Sequence, residues 1–118
     1  MMNYDEKFSQ LKLLLEIIDE VYTDICRTDY AKAEEALNGK MQEIAQSMTE
    51  LIGKAEILLQ YGVEVPKDII VAQMNNLLEA YEQKDRILLA DTLHFEIADT
   101  LQFYQEIIMA VKQENILI

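Results

Sequence analysis

Apolar residues recur every three or four positions along almost the whole chain, and that period belongs to helices rather than to strands. Leu11, Leu14, Ile18, Val21 and Ile25 set the first stripe, and Leu13, Leu15, Ile17 and Tyr22 widen it. The spacing predicts helix A over residues 4–27, the most buried of the set. Thr28 and Asp29 bring side-chain oxygens that can cap a second helix, B, over residues 30–61. Its stripe runs Leu37, Met41, Ala45, Met48, Ile52, Ala55 and Leu59. Asn38-Gly39 falls inside it and reads as either a kink or a break, because glycine costs about 1 kcal/mol in a helix interior.

Gly62 suits a C-terminal cap, residues 63–65 read as extended, and Pro66 opens helix C with Ile70, Met74, Leu77 and Tyr81 inward. Gln83-Lys84-Asp85 forms the next turn with Asp85 as the cap. Helix D follows on Leu89, Leu93, Ile97, Leu101, Tyr104, Ile108 and Val111. Three glycines and one proline in 118 residues leave little material for the many turns of an all-β fold. Sliding the second half onto the first by 56 positions matches Leu14 with Ile70, Val21 with Leu77 and Asp29 with Asp85. The expectation is one all-α domain over residues 1–118, an antiparallel up-and-down four-helix bundle built from two helical hairpins.

Twenty-two acidic residues against ten basic ones leave a net charge of -12. That charge repels phosphate backbones, and the lysines and arginines are scattered singly, so a nucleic acid is a poor partner. It also disfavours an anionic membrane surface, and no apolar run nears the ~20 residues of a spanning helix. The N-terminus lacks the basic start and apolar middle of a signal peptide, which points to the cytoplasm. Cys26 has no second cysteine to pair with and reads as a small packing residue near the end of helix A.

Within residues 61–101 the chain has a proline-led helix at Pro66, the run Leu77-Leu78-Glu79-Ala80, a Lys84-Asp85 turn, then Leu88-Leu89-Ala90-Asp91 and Phe95-Glu96. This stretch, about a third of the chain, resembles an uncharacterised family of small helical bacterial proteins. The resemblance implies a helical fold and no activity. The family has an aromatic residue after the turn aspartate, where this chain has Arg86. Residues 29–37, Asp-Tyr-Ala-Lys-Ala-Glu-Glu-Ala-Leu after a turn, together with the acidity, are loosely similar to flagellar and secretion chaperones, which implies an adaptor role.

Glu79 and Glu82, followed by Glu96 and Asp99, look like the paired acidic motifs of MazG-like all-α nucleotide pyrophosphatases. There, carboxylates from neighbouring helices hold Mg²⁺ against a nucleoside triphosphate. A turn at residues 83–85 sets Glu79 and Glu96 out of register by roughly 9 Å at the helical rise, too far to share one ion. Asp91 and His94 sit one turn apart like half of a di-iron site, yet His94 is the only histidine. His94 reads as structural, and no cofactor is expected. No nucleophile elbow or glycine-rich phosphate loop accompanies these residues.

Helix D has a second apolar side. At 100° per residue Leu88, Phe95, Gln102 and Met109 form a heptad line opposite the inward stripe. A helix with two apolar sides either lies between neighbours or offers one side to a partner. Leu88, Phe95 and Met109 are therefore the expected interface, in a non-enzymatic adaptor or chaperone-like module that binds a protein partner or a second copy of itself as a homodimer. The alternative is the Mg²⁺-dependent pyrophosphatase.

Overall fold

Helices make up nearly all of the computed structural model, which describes residues 2–118, and no strand occurs among them. The first helix, α1 (Tyr4–Cys26), begins where the Asn3 side chain accepts a hydrogen bond from the Glu6 amide, and Asp5 and Glu6 favour that end through the helix dipole. Leu11, Leu14, Ile18, Val21 and Ile25 are all buried, as their spacing predicts. Leu13 is half exposed, however, and Leu15, Ile17 and Tyr22 lie at the edges of the stripe.

Helix B is a broken helix. It consists of α2 (Tyr30–Leu37), α3 (Met41–Gly53) and α4 (Ala55–Leu59). Asp29 caps α2, its carboxylate accepting a hydrogen bond from the Lys32 amide. Asn38 then turns extended and Gly39 adopts φ of 79°, a left-handed value that costs glycine nothing and ends the helix. The break resets the helical phase. The buried apolar residues of the following segments are Ile44, Met48, Leu51, Ala55 and Leu58, whereas Met41, Ala45 and Ile52 are only half-buried and Leu59 is exposed.

Residues 63–66 carry the chain to α5 (Lys67–Glu82), which buries Ile70, Leu77 and Ala80 and leaves Tyr81 exposed. After the turn at residues 83–85, Asp85 caps α6 (Arg86–Asp91) at the Leu88 amide. A π-helical turn, Thr92–Ile97, joins α6 to α7 (Ala98–Gln113) without a break in helical dihedrals. Its cause is legible in the stripe. Leu89, Leu93, Ile97 and Leu101 are spaced by fours three times running, and in a regular helix each such step drifts by about 40°. One extra residue in a wider turn absorbs the drift, and all four side chains stay buried.

These elements lie side by side in a body of 44 × 26 × 19 Å. One apolar cluster draws a residue from each of them. Helix α1 packs on α2, α6 and α7, α5 packs on α6 and the π turn, and α3 packs on α5 and α7. Hydrogen bonds pin the pairings: Thr100 donates to Gln73 at 2.6 Å, and Asn76 approaches Glu96 at 3.5 Å. The Tyr4 hydroxyl, at the start of α1, donates to the Ile116 carbonyl and accepts from the Ile118 amide, which ties down the segment after α7.

Three turns place residues other than glycine in the left-handed region: Thr28, Lys84 and Asn115, with φ of 60°, 55° and 56°. At Thr28 the Asp29 amide closes back on the Asp24 carbonyl, the six-to-one bond of a Schellman cap. A β-branched residue is ill suited to that conformation. Thr28→Gly is therefore expected to raise stability by about 0.5–1 kcal/mol, read as a higher denaturant midpoint at constant slope. A lowered midpoint would show that the Thr28 side chain contributes more than its backbone costs.

Candidate interaction surface

The edge of α1 next to its buried stripe carries Phe8, Leu15 and Tyr22 at heptad spacing, each half-buried. Opposite them, on the continuous helix from α6 to α7, Phe95 is 60% exposed and Met109 48%. Tyr22 stacks on His94 with ring centres 4.1 Å apart and 15° between planes, and Phe95 meets both rings edge-on at 6.4 and 4.6 Å. At the other end Met109, Tyr4, Phe8 and Lys112 line a shallow cleft of about 330 Å³. Between the two ends, Gln105 reaches the Phe8 carbonyl at 3.5 Å. Lys112 pairs with Asp5 beside that cleft. The result is an apolar seam in which α1 and α7 run in opposite directions.

Leu88, Phe95 and Met109 are all exposed, Leu88 at 40%. They do not share one straight line. The extra residue of the π turn lies between Leu88 and Met109 and rotates one against the other by about 100°. Phe95 and Met109 meet α1 residues in the seam, and Leu88 lies on the other side of the π turn in the chain. Periodicity alone places Leu15 and Tyr22 in a wide core stripe and so misses the α1 half of this surface. The heptad interval shared by Phe8, Leu15 and Tyr22 is the signal that could have found it. Cys26, expected to pack inside, is exposed. It lies beside Tyr22, whose phenol it pushes above the usual tyrosine range, with Asp91 adding to the effect.

The acidic residues are scattered. Glu79 accepts a hydrogen bond from Gln83 just past the end of its own helix, Glu82 and Asp99 are exposed, and Glu96 takes the contact from Asn76. That contact sets Glu96 beside α5, the helix that carries Glu79. Even so, among the described residues no three His, Cys, Asp or Glu side chains are gathered as a metal site. His94 spends its ring face on Tyr22.

A second cluster is polar and internal. The ammonium of Lys7, in a residue only 9% exposed, donates to Ser47 at 3.0 Å and Gln10 at 3.0 Å, and pairs with Glu50 at 3.3 Å. Tyr104 donates to the same Glu50, and its ring lies 5.4 Å from the Lys7 nitrogen. A serine beside a lysine is the pattern of one class of hydrolase. Here Ser47 is fully buried, so no substrate carbonyl reaches it, and the lysine is occupied by a carboxylate. The cluster ties α1, α3 and α7 together at one end of the body.

Lys7→Met should cost about 1–3 kcal/mol, below the value for a fully buried pair because Glu50 is 35% exposed and regains water. Denaturant titration checks this, and a neutral result would show the cluster to be idle. Tyr104 is held above the ordinary phenol range, first by burial and then by its bond to Glu50. The neutral phenol is thus favoured by the fold. Its contribution is complete below the unfolded value of about 10 and is lost as pH rises beyond it. An ultraviolet titration of the folded protein should accordingly register fewer phenolates than the six tyrosines, the rest appearing only as the helical signal collapses. Ionisation of all six in one wave with the helices intact would contradict this placement of Tyr104.

Compared with family models, with curated proteins and with solved structures, the chain matches none.

Proposed function

We propose that this chain is a non-enzymatic protein–protein interaction module, an adaptor or chaperone-like domain working in the cytoplasm. Its architecture in this reading is an up-and-down four-helix bundle of two hairpins: α1, the broken α2–α4 arm, α5, and the continuous helix from α6 to α7. Support for the bundle comes from the helix contacts and from the opposed directions of α1 and α7.

The observation that carries the functional reading is the exposure of Phe95 and Met109 beside half-buried aromatic residues of α1. Covering a large apolar side chain is worth ~1.5–3 kcal/mol, so a seam of several is a strong reserve of binding free energy. A partner protein or a second copy of the chain can draw on it, a homodimer being the simplest assembly. No helix among the described residues is long and apolar enough to cross a membrane, and the net charge is unfavourable for nucleic acids.

Photo-crosslinking tests this. A benzophenone side chain at position 95 or 109, in the cells that make the protein, should give discrete adducts with a protein partner or with a second copy. The same group at Leu59 or Ile69, which are each 59% exposed elsewhere, should not. Equal labelling at all four positions, or none, would remove the case for the seam. Mg²⁺ with a nucleoside triphosphate should leave the melting midpoint unchanged, whereas a rise would favour the pyrophosphatase.

A further inference from the structure

The seam has a register and acidic edges, and together they specify what it can hold. With Tyr22 against Phe95, stepping back two heptads on α1 and forward two on α7 brings Phe8 opposite Met109, the two residues found lining one cleft. The midpoint pairs Leu15 with Gln102. Three layers at heptad spacing cover about 21 Å of helix axis. Two antiparallel helices with side chains at matched heptad intervals present a furrow of the period that accepts a third helix.

The charges beside the furrow decide the character of that helix. Next outward from the seam, again at heptad spacing, α1 carries Asp5, Lys12 and Asp19, and α7 carries Asp99, Glu106 and Gln113, all exposed, Glu106 also bordering the cleft beside Tyr61 and Ile116. Lys112 is engaged by Asp5. Among the described residues no ion pair involves Lys12, Asp19, Asp99 or Glu106. With Asp5 and Lys112 paired, the two rims offer three unengaged carboxylates, Asp19, Asp99 and Glu106, and one unengaged cation, Lys12. A second copy would set acidic rim against acidic rim in a chain already at net charge -12, which opposes its approach.

Resting on the interaction-module reading, we propose that the furrow from Phe8 and Met109 to Tyr22 and Phe95 docks one amphipathic helix of another protein, with lysine or arginine along both edges of its apolar face. Its apolar residues cover the three layers, and its cations meet Asp19, Asp99 and Glu106. Binding weakens as salt rises, because these rim contacts are exposed.

The probe is a fluorescent peptide of about 18 residues, long enough for the three layers, with leucine at the heptad core positions and lysine at the flanking ones. Two controls have the same length: the same peptide with glutamate at the flanks, and a scrambled lysine peptide of identical composition. Anisotropy against the intact protein should show saturable binding by the lysine-edged helix alone. Phe95→Ser with Met109→Ser, which leaves the charge unaltered, should weaken it by roughly tenfold or more. Neutralising Asp19, Asp99 and Glu106 as Asn, Asn and Gln should lower both affinity and salt dependence. Circular dichroism checks that each variant is folded, and Met109→Ser alone serves if the pair is not.

Equal binding of the scrambled peptide, equal binding of the glutamate-edged one, or indifference to the serine variants overturns the inference. A parent dimer that Phe95→Ser converts to a monomer also overturns it in favour of self-association, while leaving the interaction module standing. Adducts at positions 95 and 109 without peptide binding have the same consequence. Loss of both adducts and peptide binding refutes the two readings together.

Discussion

The antiparallel packing of α1 on the last helix sets the register to which the remaining elements conform. Asp5 meets Lys112 at one end and Tyr22 meets His94 near the other, so the two helices stay in contact over most of the length of α1. Long contact of this kind requires both apolar stripes to stay in phase. For α1 the three-four spacing of Leu11, Leu14, Ile18, Val21 and Ile25 does so in a regular helix. The last helix has three consecutive four-residue steps, and a regular helix would swing part of that stripe into water. The π turn is the local accommodation. Its wider turn costs some hydrogen-bond quality, while Leu89, Leu93, Ile97 and Leu101 all gain full or nearly full burial.

That accommodation also shapes the surface. Where the helix winds more slowly, His94 and Phe95 emerge together beside Tyr22 and form three ring contacts at the seam. Aromatic pairs of this geometry add to the stabilisation from area alone and hold large side chains in place. The same extra residue rotates Leu88 against Met109 by about 100°. A core requirement thus decides which apolar residues share a face.

The buried cluster at the other end works differently. Lys7, Ser47, Glu50 and Tyr104 satisfy one another, and burying them contributes modestly because charges leave water at a cost. Their value is directional. An apolar contact tolerates a slide of α1 against α3, whereas an ammonium that must reach a hydroxyl and a carboxylate does not. The cluster and the ring contacts of Tyr22 with His94 and Phe95 mark opposite ends of α1.

Helix locations were legible from residue order because caps and stripes are local. Asp29 and Asp85 cap the helices that follow them, Gly62 adopts a left-handed φ after α4, and Leu11, Leu14, Ile18, Val21 and Ile25 of α1 are buried. Phase was legible only within an unbroken helix. The turn at Gly39 shifted the inward face of α3 and α4 to Ile44, Leu51 and Leu58, and the π turn displaced Leu88 from its expected line. Which residues meet across helices was not local at all. Lys7 with Glu50 and Tyr22 with Phe95 are pairings far apart in the chain, set by how rigid helices of fixed phase pack against one another. The sequence by itself determined the helices and their amphipathic character. Tertiary structure decided the pairing, and with it the seam, because a side chain's exposure depends on the neighbour that packing places over it.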